Sequence, residues 1–385
     1  MPGLSDLSIK HDSLISLHVQ LHNQLRHLIL SGRWPYGTRV PSEYQLVQHL
    51  GISRSTVRLA LQMAEVEGLI ERTRGRGTFV AYRMRAAAHL IAFVATDLNT
   101  DYQVLLLKGA ESEARANGYR IIFNNAADHA EEMRILETLH ADRVAGVLLW
   151  PRPLACEEAN REQYKYLDLP MILLDRPIPG LDYPCITSDS YNGAARLVQY
   201  LLNLGHRRIA YLSHHELHLQ PVADRLRAYR DMVRAAGLEP LDPWLIGDPN
   251  DEIGSHHVLQ AYDDAEMPML KKIQAYMQQD QPTAIFAVND QVAALAVRAL
   301  RLLGLRIPDD VSVAGFDDAD LSVYMDVPLT TVAQDTFEIG RRAAQFLINQ
   351  IENTGQPEGI VFIPTQLRVR ASTAVPVAAE DPERR

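Results

Sequence analysis

The sequence predicts a mixed α/β chain in two parts: a small, mostly helical head and a large body of parallel sheets flanked by helices. Three observations carry this. Past residue 89, short apolar runs alternate with helical stretches, the pattern of strand–helix–strand units. Before residue 81, two short helical stretches are separated only by "GIS" at 51–53. Charge also divides between the parts. Residues 1–85 hold 11 Lys and Arg against 6 Asp and Glu, whereas the remainder holds 27 against 42. A basic head on an acidic body indicates a polyanion partner for the head alone.

The 385 residues suit two or three domains, and 47% hydrophobic with 22% charged residues is a globular composition. No run of 18 apolar residues occurs, so no membrane-spanning helix and no membrane partner are expected. The opening "MPGLSDLSIKHDS" has neither a basic nor an apolar leader region, so no secretory signal is expected. Two cysteines, Cys156 and Cys185, exclude a disulfide framework, and the expected compartment is the cytoplasm.

In the head, Leu17, Leu21, Leu25 and Leu28 recur at helical spacing, and Gly32 stops that helix. Ser42 followed by Gln45 is a capping-box pattern; Leu46, Val47 and Leu50 supply the apolar side, and Gly51 ends the second helix. Ser53 caps the third, whose apolar content is Val57, Leu59, Ala60, Leu61, Ala64 and Val66, and Gly68 closes it. Two helices this close form a helix-turn-helix. Ser53, Arg54, Ser55, Thr56 and Arg58 crowd the first turns of the second of them. Arginine there opposes the helix dipole, an arrangement that makes sense when DNA supplies the negative charge. "LIERTRGRGTFV" then reads as a two-stranded hairpin with Arg74, Gly75, Arg76 and Gly77 at its tip, a wing suited to a narrow, negative groove.

The stretches "SGRWPYGTRVPSE", "GISRSTVRLAL", "EGLIER" and "GRGTFV" resemble, in order and spacing, the GntR family of bacterial transcription regulators. The resemblance covers residues 17–80. It implies DNA contacts from Arg54, Ser55, Thr56 and Arg58 on the helix and from Arg74, Gly75 and Arg76 in the wing, with Ser53 opening the helix. Tyr36 stands in a Pro-Tyr-Gly where Pro-Pro-Gly is usual. Tyr44 occupies the position after Ser-Glu where many members carry arginine, and it is counted among the DNA-facing residues.

Residues 81–88 read as a linker. The body then runs through "HLIAFVAT", "RIIFNN", "VAGVLLW", "MILLD", "CITSD", "RIAYLS", "AIFAVND" and "VSVAGFDD" as strands with helices between. Asp97, Asn124, Asp175, Asp189, Asn289 and Asp317 close these runs. In open α/β sheets ligands bind off the carboxyl ends of strands, and carboxylates and amides there suit a hydroxyl-rich ligand.

"LNLGHRRIAYL", "DRLRAYRDM", "PTAIFAVNDQVAALAVRAL" and "IPDDVSVAGFDD" resemble the effector domain of the lactose and galactose repressor family, which has the fold of periplasmic sugar-binding proteins. The resemblance covers residues 89–373 and implies two α/β lobes joined by three crossovers around a sugar. It also implies Asp175 and Asp317 accepting sugar hydroxyls, Arg225 donating, Asn289 doing either, Gln334 at a matching cleft position and Tyr102 as an aromatic wall. Arg225 is favoured over Arg227, and Ala228 replaces a usual glycine. The tail 374–385 reads as disordered.

No Walker A loop, Gly-x-Gly-x-x-Gly or Gly-x-Ser-x-Gly occurs, so neither an enzyme nor a bound cofactor is expected. The histidines of "SHHELHL" and His256-His257 lack the spacing of a metal site, and none is expected. The pairing of head and body resembles the arabinose-repressor subfamily. It implies a homodimer on a palindromic DNA operator, released by a small sugar, a pentose first. A ligand acting as corepressor and a sugar-phosphate enzyme fused to a DNA-binding head are the alternatives.

Overall fold

Helix α1 (Leu17–Leu30) forms because its leucines recur every three to four residues, and Leu21, Leu25 and Leu28 are buried against the rest of the head. Helix α2 (Glu43–Leu50) begins at Ser42 with the full reciprocal capping box to Gln45, and it ends on Gly51 at φ +64°, a left-handed turn that glycine adopts without strain. Helix α3 (Arg54–Val66) starts at Ser53, whose side chain accepts the Thr56 N–H. It buries Val57, Ala60, Leu61 and Ala64. Leu59 and Val66, counted with the apolar side in the sequence, lie outside the stripe and are exposed. Strands β1 (Ile70–Thr73) and β2 (Gly77–Val80) pair antiparallel from Ile70↔Val80 to Thr73↔Gly77. Arg39 bridges Phe79, adding a third edge to the wing.

This computed structural model divides the chain into two compact units, residues 1–88 and 89–385. It describes residues 4, 7–9, 16–30, 33–34, 36–73, 76–81, 89–96, 98, 100–153, 158–164, 167, 169–247, 262–352, 354–355 and 359–377. Arg74, Gly75, Asp97, Cys156, His256 and His257 lie outside the described residues, as do 82–88 of the linker and 378–385 of the tail.

In the second unit the first lobe is one parallel sheet. Its strands are β3 (Leu90–Ala95), β4 (Arg120–Asn125), β5 (Gly146–Leu149), β6 (Met171–Leu174), β7 (Cys185–Ser188) and β13 (Ile360–Ile363), in the order β13-β7-β6-β5-β3-β4. Helices α4 (Asp101–Ala116), α5 (His129–Asp142) and α6 (Glu158–Tyr164) connect them. The second lobe is a parallel sheet of β8 (Ile209–Ser213), β9 (Trp244–Leu245), β10 (Ala284–Ala287) and β11 (Ser312–Ala314), in the order β11-β10-β8-β9. It carries α7 (Ser190–Asn203), α8 (Gln220–Ala235), α9 (Tyr262–Asp280), α10 (Asp290–Leu302) and the short α11 (Leu321–Tyr324). Strands such as β5, β6 and β10 are buried at every residue, as parallel strands covered on both faces must be.

The chain passes between the lobes three times. It leaves β7 for α7, whose apolar side lies in the second lobe's core. It returns from β12 (Thr331–Gln334) to α12 (Thr336–Ile351), which packs in the first lobe's core. It leaves β13 for β14 (Thr365–Arg368), which pairs antiparallel with β12. Helices α4 and α12 approach through a pair of glycines. A Cβ on Gly109 would lie 2.0 Å from the Phe337 carbonyl, and one on Gly340 would lie 2.0 Å from that of Leu106.

One boundary needs correcting. The tail expected from 374 onward is held in place at its start: the Ala374 N–H donates to Ser312 Oγ at 3.0 Å, and its carbonyl accepts from His206 Nε2 at 3.0 Å. These bonds fix residues that composition alone reads as unstructured.

Candidate functional site

Two surfaces gather polar side chains. On the head, Arg54 stands at the first turn of α3 with its side chain 81% exposed. Its Nε lies 3.2 Å from Glu43 Oε2, so the opening residue of α2 orients it. Glu43 also reaches Arg72 Nη1 at 3.5 Å, and Arg72 is tied to Glu65 at 3.1 Å as well. Arg72 is therefore part of the scaffold. Ser53 Oγ is used locally: it caps α3 and lies 2.8 Å from Ser55 Oγ and 2.7 Å from Thr56 Oγ1. Arg58 is exposed on the same helix, and Tyr44 on α2 is 73% exposed. In the wing, the Arg76 N–H closes the turn on the Thr73 carbonyl at 3.0 Å, and its side chain shares a shallow groove with Tyr36 and Thr73. Nothing in the local pattern signals Glu43 as organiser, or Arg39. The Arg39 guanidinium covers the wing, and a Cβ on Gly77 would lie 3.2 Å from its Nε.

The second surface is a cleft of about 660 Å³ between the two lobes of the body, within the range of small-molecule pockets. Tyr102, Asp175, Arg225, Asn289, Asp317 and Gln334 all line it. From the first lobe, Asp175 follows β6 with φ +68°, and its Oδ1 accepts the Tyr102 hydroxyl at 2.8 Å. Arg176 holds Oδ2 with two nitrogens, at 3.0 and 2.8 Å, and lies 5.7 Å from the Trp150 ring centre. Trp150 and Tyr102 lie 5.5 Å apart, making an aromatic wall. Burial, reinforced by the Asp175 carboxylate, raises the Tyr102 phenol well above its ordinary range, so it stays a donor.

From the second lobe, Asp317 follows β11 with φ +118°. Its Oδ1 accepts Gln334 Nε2 at 2.6 Å and lies 3.9 Å from Arg225 Nη2. Burial pushes its carboxyl up to about 6 against the opposing pull of Arg225 and Gln334. The Arg225 guanidinium carbon sits over Phe316, 3.8 Å from the ring centre, and Arg225 donates to the Val288 carbonyl at 2.8 Å. Its buried Nε has no protein partner, nor has the Gln334 Oε1. Asn289 caps α10 through Oδ1 to the Val292 N–H at 2.9 Å, which leaves its NH2 as a donor. The cleft thus offers carboxylate acceptors, fixed donors and an aromatic face.

Other sequence candidates go elsewhere. Asp189 caps α7 through the Asn192 N–H at 3.2 Å, and Asn124 turns back to the Ile122 carbonyl at 3.5 Å. Arg227 pairs with Asp224 at 2.7 Å and covers Tyr191. Ala228 is fully buried in the second lobe's core. Trp150 and Arg176 were missed. They lie one and two residues past strand ends, where only a fold that brings β5 and β6 side by side makes them neighbours.

Comparison with known proteins agrees with this division. Residues 17–80 match the bacterial regulatory proteins of the gntR family, and residues 198–373 match the periplasmic binding protein-like domain. The arabinose metabolism transcriptional repressor of Geobacillus stearothermophilus is 29% identical over 92% of this chain and 97% of its own length. The HTH-type transcriptional repressor CytR of Escherichia coli is 28% identical over 84% of this chain and 89% of its own. A LacI family transcriptional regulator from Enterococcus faecium, solved with bound ribose, superposes with a TM-score of 0.59 at 24% identity, covering 74% of this chain and 99% of its own; that likeness is one of fold. The chain is a DNA-binding transcriptional regulator, not an enzyme, with a winged helix-turn-helix head similar to the gntR-family regulatory proteins and a two-lobed body similar to the periplasmic binding protein-like domain.

Proposed function

We propose that the protein represses sugar-utilisation genes in the cytoplasm as a homodimer on a palindromic operator, and that a small sugar, a pentose first, releases it. The observation that carries the sugar is the facing pair of carboxylates, Asp175 from one lobe and Asp317 from the other. Both line the same cleft, Asp175 accepting the Tyr102 hydroxyl and Asp317 accepting from Gln334, and Tyr102 and Trp150 supply the aromatic face. Sugars present paired hydroxyls on one edge and C–H surface on the other. Asp175, Arg225, Asn289, Asp317, Gln334 and Tyr102 are the proposed contacts. On the head, Tyr44, Arg54, Ser55, Thr56, Arg58, Arg74, Gly75 and Arg76 are the proposed DNA-facing set, with Ser53 holding the helix start. Release follows from linkage: a ligand bound better by one lobe arrangement shifts the dimer toward it, and the spacing of the two heads changes.

A thermal-shift panel of L-arabinose, D-xylose, D-ribose, cellobiose and their phosphates tests the ligand class. A sugar at 100 times its dissociation constant adds about 2.7 kcal/mol of stability. Mobility shift with the bound sugar then gives the sign. Weaker operator binding is expected, and tighter binding would make the sugar a corepressor.

A further inference from the structure

We propose that Asp290 is a positioning residue of the cleft, tying the loop that presents Asp317 and the strand that presents Gln334 into one unit. The proposal rests on the cleft being the effector site. Asp290 opens α10 and is fully buried. Its Oδ2 accepts the Ala319 N–H at 2.9 Å, and its Oδ1 accepts Thr331 Oγ1 at 2.6 Å. Its own N–H donates to the Phe316 carbonyl at 2.8 Å. Thr331 Oγ1 in turn accepts the Asp318 N–H at 3.4 Å. One residue therefore pins both sides of Asp317: its backbone N–H holds the Phe316 side, and its carboxylate, directly and through Thr331, holds the Asp318–Ala319 side.

That pinning has a purpose in the backbone. Asp317 and Asp318 follow each other at φ +118° and +57°, sparsely populated for residues with a Cβ, and such conformations persist only where the surroundings over-determine them. Thr331 begins β12, and Gln334 at its end donates to Asp317 Oδ1. The Asp290–Thr331 bond thus sets the strand's place relative to the loop. Gly315, which opens the "GFDD" turn, gives the clearance: a Cβ there would lie 2.2 Å from Asp290 Oδ1. Capping of α10 does not require Asp290, because Asn289 already caps it. Burial and the nearby Asp317 charge both raise the Asp290 carboxyl, so the fold keeps an ionisable group there at a cost.

The test uses the full chain and its Asp290→Ala, Asp290→Asn and Thr331→Val variants, titrated calorimetrically at 20 °C with L-arabinose, D-ribose and cellobiose, with melting temperatures alongside. For a sugar that the wild type binds, Asp290→Ala is expected to weaken binding by about tenfold or more and Thr331→Val by several-fold. Asp290→Asn is expected to stay within about threefold, because its oxygen can accept the Ala319 N–H while its NH2 donates to Thr331. Adding Asp290→Ala to Asp317→Ala should cost less than Asp290→Ala costs alone, because only the strand that presents Gln334 is left to be displaced. Wild-type affinity in all three single variants, with only lower melting temperatures, overturns the proposal, as do additive losses in the double variant. If Asp290→Ala does not fold, Thr331→Val decides. If the wild type binds none of the three sugars, the sugar assignment fails on its own. Amide exchange at Ala319 then decides: faster exchange in Thr331→Val supports the pinning, and an unchanged rate overturns it.

Discussion

Replacing Asp317 by alanine separates two roles for a strand-end carboxylate. The side chain is 22% exposed and is held by Gln334 at 2.6 Å, with Arg225 at 3.9 Å. Charge-assisted hydrogen bonds contribute about 1.5–3 kcal/mol each, so losing one sugar contact should weaken binding roughly tenfold to a hundredfold or somewhat more. Stability moves the other way. A folded-state value of about 6 against an ordinary 3.8 means that this group stabilises the fold below pH 4 and loses that contribution as pH rises through about 6. At pH 7.5 the wild type has therefore forfeited on the order of 2–3 kcal/mol at this group, part of which the alanine variant recovers. Calorimetric titration at pH 7.5 and melting curves at pH 4.5 and 7.5 measure both effects. Weakened sugar binding is expected, with a wild-type-minus-variant melting difference that grows more negative at the higher pH. If Asp317 were only a cap for α11, affinity would stay at wild type and the variant would melt lower by about 1 kcal/mol of stability. That pattern would refute the placement of the cleft. The geometry already disfavours a cap, since the N-cap position of α11 is Asp320 and no side chain caps the helix there.

Further expectations concern pH and the head. Sugar affinity should fall about tenfold as pH drops from 7.5 to 5, because hydroxyls donate to the ionised carboxylate and Asp317 takes up its proton near 6; Asp317→Asn should flatten that profile in the same titration. Arg54→Ala should cost about 1–3 kcal/mol of operator binding per head while leaving sugar binding intact, and an unchanged mobility shift would remove Arg54 from the interface. Arg76→Ala should lower affinity about equally on all DNA sequences and reduce the salt slope by about one unit, which a salt titration of binding reads directly.

The elements of this protein were legible because local chemistry fixes them. Ser42 with Gln45 and Ser53 mark helix starts by satisfying backbone N–H groups within three residues, and Gly51 ends α2 by adopting a backbone that costs other residues strain. The apolar runs from "HLIAFVAT" to "VSVAGFDD" are mostly buried strands, because a parallel sheet covered on both faces admits few polar side chains, while the edge strand β4, "RIIFNN", stays partly exposed. The charge split, the Arg-rich start of α3 and the strand-end acids are likewise sequence facts. What the sequence could not order was convergence. Asp175, Asp189, Asn124 and Asp317 are alike as strand-end polar residues, yet one caps a helix, one folds back on its strand and two face each other across a cleft. The same holds for Glu43 beneath Arg54, Trp150 beside Arg176, and Asp290 beneath Asp317. Each of these relations joins positions that are distant in the chain or on different elements. Only packing, which sets β5 beside β6 in the sheet and returns β12 beside β11's loop, decides which groups lie close enough to share a hydrogen bond or a ligand.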